Sequence, residues 1–517
     1  MCYKQSPLYE MPLLDQVTMT DNASVNNSQN KPAVTLSTSL GKGAAMAMVV
    51  GAVIGSGIFA KPAANAMASN SVPLILVGWI MGGFITLMGG ICMAELALMM
   101  PLSGGPYVYI RQAYGRIPAF LSGWNESVFF QSSANSALAV FFTMTLSKLI
   151  GQEFSTTQTV VIVLSMITLL TVINCLGVVW GGMVQSITTV IKVLILVSIA
   201  ILPFTLLFAD NESFTLDKFI ATPQLSSAPE SMIGMFTLVM MSVMWAYSGG
   251  WMVTGIAEEI KNPEKNLSFA LIGGAIVLMV IYVSVNIAFH GILSLDEMIV
   301  IAGDPAKDIP QEAVKAYLLP ISTRFADLGG TLLSSIILVS AFSALNTGLL
   351  TPPRVLFAMA RDAMFIPSFA RIHPRFRTPH VAIIGQGLAS SAVFLMITAL
   401  VVFVGLGTNG ETDARNVNTA DEIFNYLTNI AVFSSTVFVT MTVGAVFVLR
   451  YREPDRARPY RVPGYPFIPA MALLINTAFL ILVALDDLWL SVLSIGFLVL
   501  SLPLYFLFSK QMQPPDA

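Results

Sequence analysis

The chain has 517 residues, of which 55% are hydrophobic and 11% charged, with a formal net charge of −3 and a mean hydropathy of +0.77. That mix excludes an ordinary soluble globular domain. A near-neutral charge with no basic tract interleaved with aromatics excludes a nucleic-acid partner and leaves an integral membrane protein whose other solvent is lipid.

The first residues, with "TDNASVNNSQNKPAVTLSTS", lack the basic start, short apolar core and small-residue cleavage site of a secretory signal, so residues 1–41 read as a disordered cytoplasmic tail. Runs of about 20 mainly apolar residues bounded by charges, Pro or Gly clusters then mark spanning helices. Twelve are expected, near 44–66, 73–99, 119–147, 158–178, 187–208, 232–257, 268–292, 329–357, 381–404, 424–449, 467–485 and 488–509. Residues 511–517 form a short cytoplasmic tail. Cys2, Cys92 and Cys175 suggest neither a disulfide framework nor a metal spacing, and His290, His373 and His380 are too scattered for a metal site.

The first span contains "GAVIGSGIFAKPA", residues 51–63, which places three glycines and a serine where lipid demands an unbroken helix. Gly51 and Gly55 also fit a small-xxx-small packing seam, so this stretch alone is ambiguous. The third span carries "FFQSSANSALAV", with Gln131, Ser132, Ser133, Asn135 and Ser136 at mid-depth. Such a run either joins helices by hydrogen bonds or lines a pocket, for which Asn135 is the candidate. Glu95 and Glu126 lie within spans with no partner at i+3 or i+4 on their own helices. For Glu126 an inner-gate ion pair and a substrate role stand equal.

Lys192 sits in the fifth span, in "VQSITTVIKVLILVSIA". A lysine at that depth is a functional candidate, against the alternative that it snorkels to the interface. The sixth span carries a second interruption, "WAYSGGWMVTG", residues 245–255. Two Gly-interrupted segments in corresponding halves point to an inverted repeat with its binding site at the midplane. The expected core is therefore five plus five spans over 42–450, with repeats at about 42–210 and 230–450, and two further helices over 451–510. In the eighth span Ser340, Ser343, Asn346 and Thr347 recur at helical spacing and either line a cavity or pack.

Eighteen Lys and Arg residues fall on one side of this topology against seven on the other, Lys61 among the seven, which predicts that both termini are cytoplasmic. At each break the free backbone groups need partners. The amides near Ser56, Gly57 and Ile58 suit a carboxylate, and the carbonyls around Ala52, Val53, Trp245 and Ala246 suit an ammonium. An α-amino acid carries both.

Five stretches in order, "GSGIF" at 55–59, "PLSGGPYVYIRQAYG" at 101–115, "EEIKNPEKN" at 258–266, "PPRVLFAMARDAMFIPSFARIHPRFRTP" at 352–379 and "RPYRVPGYPFIP" at 458–469, resemble the amino acid-polyamine-organocation superfamily of transporters. The resemblance implies an all-α membrane protein with the LeuT-type inverted repeat and broken helices 1 and 6, in a plasma membrane. It implies that Ser56, Gly57 and Ile58, with neighbouring Ile54, hold the substrate carboxylate, and that Trp245 caps the substrate beside Ala246 and Ser248. Asn135 then lies near the side-chain pocket, and Gly348 leaves room there for a larger side chain.

Lys192 matches a lysine that takes the place of a sodium ion, which implies sodium independence and leaves proton coupling and exchange open. Lys192, Ser340, Ser343, Glu126 and Trp245 form the expected coupling and gating set. Because "WMVTG" has no acidic residue, neutral amino acids are preferred over cationic ones. A polyamine or cationic amino acid antiporter is the alternative, with a non-transporting sensor behind it. No nucleophile-base pair, metal cluster or phosphate loop suggests an enzyme. No cofactor and no partner chain is expected; the proton is the candidate coupling ion.

Overall fold

The computed structural model describes residues 40–207, 215, 217–221, 223–225, 228–304, 306–404 and 419–511. The amino-terminal tail expected over 1–41 and the carboxy-terminal tail over 511–517 fall almost entirely outside them, as does Arg415. The described residues are helical apart from connections and one isolated bridge between Leu40 and Ile260.

The first span is two helices, α1 (Lys42–Val53) and α2 (Gly57–Ala68), separated by Ile54, Gly55 and Ser56. They are followed by α3 (Val72–Met99), α4 (Arg116–Ile150), α5 (Thr156–Cys175) and α6 (Val178–Leu207). Next come α7 (Met232–Tyr247), a 3-10 segment over Gly250–Glu259, and α8 (Pro263–Ile292). The series closes with α9 (Thr323–Leu350), α10 (Pro353–Arg361), α11 (His380–Phe403), α12 (Thr419–Arg452), α13 (Phe467–Asp486) and α14 (Leu488–Phe508). Eleven spans among the described residues are long and apolar enough to cross a membrane, and α6 adds a shorter apolar stretch at Ser186–Ile201.

Local chemistry explains the boundaries. Ser231 caps α7 by accepting from the Gly234 amide at 3.0 Å, and Ser155 with Gln158 forms a capping box on α5. At the end of α7, Ser248 turns extended and Gly249 adopts φ +97°, a left-handed conformation that glycine enters without strain. The chain resumes as the tighter 3-10 winding, so the sixth span is broken as its sequence suggests.

Leucines and isoleucines such as Leu194, Leu388 and Leu474 are exposed on the outside of the bundle. Ser132, Asn135, Ser340 and Ser343 are buried within it. This inside-out distribution suits lipid, where polar groups are costly unless they find protein partners.

The two ends of the bundle differ. At one end Arg450 grips Glu95 through two bonds of 2.9 and 2.6 Å, Arg458 stands 3.5 Å from the same carboxylate, and the Val462 amide donates to it at 2.6 Å. Arg354 pairs with Glu259 at 3.1 Å with both side chains buried, and Arg111 pairs with Asp362. Glu95, which shows no partner on its own helix, is thus tied to residues some 360 positions away. At the other end, about 45 Å along α12 from Arg450, Asp421 borders a cavity of about 600 Å³.

Candidate substrate site at the two helix breaks

The breaks meet. A Cβ built on Gly57 would lie 2.3 Å from the Ala246 Cα, so the start of α2 rests directly on the end of α7. Gly55 is similarly tight, with Ala344 of α9 and Leu138 of α4 at 3.2 and 3.3 Å from a Cβ built there. Gly57 therefore has a packing duty that its sequence context did not separate from ligand binding.

The carbonyls released at the end of α1 are taken by side chains. Lys192 Nζ donates to the Ile54 oxygen at 2.8 Å and to the Gly51 oxygen at 3.3 Å. Ser340 Oγ donates to the same Ile54 oxygen at 3.3 Å, and the Tyr282 hydroxyl donates to the Val53 oxygen at 3.1 Å. Lys192 is buried, so the alternative of snorkelling to the interface is corrected: its ammonium caps the carboxyl end of a half-helix, where the dipole is negative. Tyr282 was not singled out from sequence, because one tyrosine in the apolar run of α8 carries no periodic signal. Ser343 pairs with Thr188 at 2.6 Å and ties α9 to α6.

The amide side is different. Among the described residues the N–H groups of Ser56, Gly57 and Ile58 have no hydrogen-bond acceptor. Ser56 and Gly57 border a cavity of about 40 Å³ lined also by Ala52, Gln131, Trp245, Ser248, Thr347 and Gly348 and by no charged side chain. The Trp245 indole donates to Ser56 Oγ at 3.1 Å, and its ring meets Phe424 edge-on at 6.3 Å between centroids, so it roofs the cavity.

Four further expectations need correction. The Trp245 carbonyl, offered to a ligand ammonium, already accepts from the Ser248 amide at 3.1 Å and the Ser248 hydroxyl at 2.8 Å. The room beside Gly348 is filled: a Cβ there would fall 2.1 Å from Asn135 Oδ1 and 2.6 Å from Gln131 Nε2. Asn135 is not a cavity wall but a brace that donates to Ser390 Oγ at 3.1 Å and to the Gly348 carbonyl at 3.4 Å, while accepting from Gln131 at 2.8 Å. Glu126, on the π-wound stretch Asn125–Phe130 of α4, accepts from the Trp251 indole at 3.1 Å, so its partner is a neutral aromatic and not the cation of an ion pair.

The placement of Lys61 is also corrected. Assigned to the outer loops by the charge count, it is a buried residue of α2 whose Nζ donates to Thr428 Oγ1 at 2.9 Å.

Comparison with known proteins decides the family. The family model described as amino acid permease matches residues 40–505. The chain belongs to this family. The permease is 32% identical over 432 residues to the serine/threonine exchanger SteT of Bacillus subtilis, covering 83% of this chain and 87% of that protein. It is 26% identical over 495 residues to the human b(0,+)-type amino acid transporter 1, covering 93% and 90%. To the human large neutral amino acids transporter small subunit 2 it is 29% identical over 433 residues, covering 83% and 73%. The permease is an amino acid transporter of the membrane, and at the break in its first span three consecutive amides have no acceptor among the described residues.

Proposed function

We propose that the permease exchanges small neutral amino acids across a plasma membrane by alternating access and without sodium. The observation that carries this is the run of open amides at Ser56, Gly57 and Ile58, of which Ser56 and Gly57 border a small cavity with no charged side chain in its wall. A carboxylate answers those amides and gains the positive end of the α2 dipole. Among the carbonyls at the breaks, that of Ala52, which borders the same cavity and has no donor among the described residues, is the candidate for the α-ammonium.

Lys192 supports sodium independence. Its ammonium sits on the carbonyls of Gly51 and Ile54, where a cation would otherwise be needed to neutralise the end of α1. Exchange is preferred over proton coupling because of the similarity to a serine/threonine exchanger. In this reading α6 completes twelve spans. The LeuT-type repeats lie at about 42–210 and 230–450 with α13 and α14 appended, and the arginine-rich end and both termini are cytoplasmic.

Proteoliposomes containing the full chain test it. Labelled L-serine, L-alanine and L-leucine are offered to vesicles preloaded with unlabelled L-serine, to empty vesicles, and to empty vesicles under an imposed pH gradient. Uptake that requires preloading and is insensitive to arginine and putrescine is the expected result. Uptake into empty vesicles driven by the pH gradient overturns exchange, and competition by arginine or putrescine overturns the neutral preference.

A further inference from the structure

The fold holds a second buried lysine in the same broken span. Lys61 lies four residues after Gly57 on α2, about 6 Å along the axis from the open amides, and its side chain is 2% exposed. An ammonium has three N–H donors. Two are used, toward Thr428 Oγ1 at 2.9 Å and Asn425 Oδ1 at 3.4 Å, both neutral, and the nitrogen stands 4.9 Å from the centre of the Phe424 ring. Among the described residues Lys61 makes no ion pair. Burying a charge without a counter-charge is costly, so the arrangement calls for an anion.

The surroundings indicate what that anion is. Lys61 borders the cavity of about 600 Å³ at the end opposite the arginines. Phe424 lines this cavity too and touches Trp245 edge-on, so the Trp245–Phe424 pair stands between the vestibule and the smaller cavity at the breaks. Asp304 and Asp308 in the vestibule wall are paired with Lys307 at 3.0 Å and Lys148 at 2.6 Å. Asp421, Asp486 and Asp487 line the same space. A free anion meets several carboxylates there, whereas a zwitterion finds acidic groups for its ammonium and one buried cation for its carboxylate.

We infer that Lys61, held by Thr428 and Asn425, is an entry subsite that binds the carboxylate of an amino acid in the vestibule, before the Trp245–Phe424 pair parts and the ligand moves one helical turn to the amides of Ser56, Gly57 and Ile58. This rests on the transport reading above and on the vestibule facing outward. It explains why a membrane helix places a lysine beside a ligand path and gives it only neutral partners.

The test is sided kinetics. Exchange of labelled L-serine is measured on intact cells and on inside-out vesicles for the wild type, Lys61→Met and Lys61→Arg. Loss of a charge-assisted hydrogen bond raises the external KM of Lys61→Met about tenfold or more, with the maximal rate and the KM from the opposite face within about twofold. Lys61→Arg, which keeps the charge, stays within about threefold of wild type. External propionate competes with serine more weakly against Lys61→Met than against wild type.

An unchanged external KM in Lys61→Met, an equal rise from both faces, or Lys61→Arg failing as badly as Lys61→Met overturns the subsite while serine exchange by the wild type leaves the transport reading standing. A wild type that moves no amino acid removes both. If Lys61→Met does not fold, Thr428→Val decides: it frees the ammonium from one of its two holders, and the same one-sided rise in KM is expected, whereas no rise overturns the subsite.

Discussion

The two lips of the break in the first span are treated in opposite ways. On the α1 side every carbonyl from Gly51 through Ile54 that leaves the helix pattern has a protein donor except Ala52, supplied by Lys192, Ser340 and Tyr282 from three other helices. On the α2 side three consecutive amides have no acceptor among the described residues. The protein has many donors to spend on carbonyls, but an acceptor placed permanently on the amides would compete with the ligand. Closing one lip makes the break rigid. In the proposed function the other lip stays open for the ligand carboxylate, and the packing of Gly57 on Ala246 holds that lip against the second break.

The largest expected effect comes from wedging the lips apart. Gly57→Ala puts a methyl group 2.3 Å from the Ala246 backbone, where overpacking costs about 1–3 kcal/mol and shifts the amides off their line. Exchange falls below detection while the protein still runs as one species in size-exclusion chromatography. Next comes Lys192→Ala, which strips the Gly51 carbonyl of its donor and leaves Ile54 only Ser340. An orphaned buried acceptor costs about 1–3 kcal/mol, so exchange drops roughly tenfold to a hundredfold without loss of fold. Normal rates in Lys192→Ala would mean that the closed lip is not needed for transport.

A smaller effect tests the open lip. Ser56→Ala leaves its amide in place but removes the hydroxyl that receives the Trp245 indole at 3.1 Å. One neutral hydrogen bond is worth about 0.5–1.5 kcal/mol, so KM for L-serine rises about threefold to tenfold with the maximal rate little changed. An equal loss in the maximal rate would place the bond in the transport cycle itself and not in the roof over the ligand.

The breaks were legible because Gly and Ser recur in two apolar runs five spans apart, and Lys192 because a charge inside "TTVIKVLILV" is costly in lipid, although its sequence alone left snorkelling open. What failed was anything that depends on a distant helix. Gly348 and Asn135 are 213 positions apart, and only their contact shows that the amide fills the glycine's space. Lys61 was counted with the outer charges although the first span was drawn to 66; in the fold Pro62 lies inside α2 and the helix runs on to Ala68, carrying the lysine into the bundle. Glu95 and Glu126 showed no partner at helical spacing, and their true partners, Arg450 and Trp251, lie on other elements.

The smallest expected effect concerns Glu126, a member of the expected coupling and gating set. Its carboxylate, on the π-wound stretch of α4, accepts from the Trp251 indole at 3.1 Å. Glutamine keeps an oxygen at that place and removes the charge. If the carboxylate serves only as an acceptor for the indole, Glu126→Gln exchanges L-serine within about threefold of wild type and remains insensitive to arginine, because a charged acceptor is worth only modestly more than a neutral one. If it meets the distal charge of a cationic ligand, the wild type responds to arginine and the variant loses that response by about tenfold or more, since the partner charge is then left without its counterpart. Arginine competition in the two proteins separates these cases, and only the second would make the open lip part of a site for cationic amino acids.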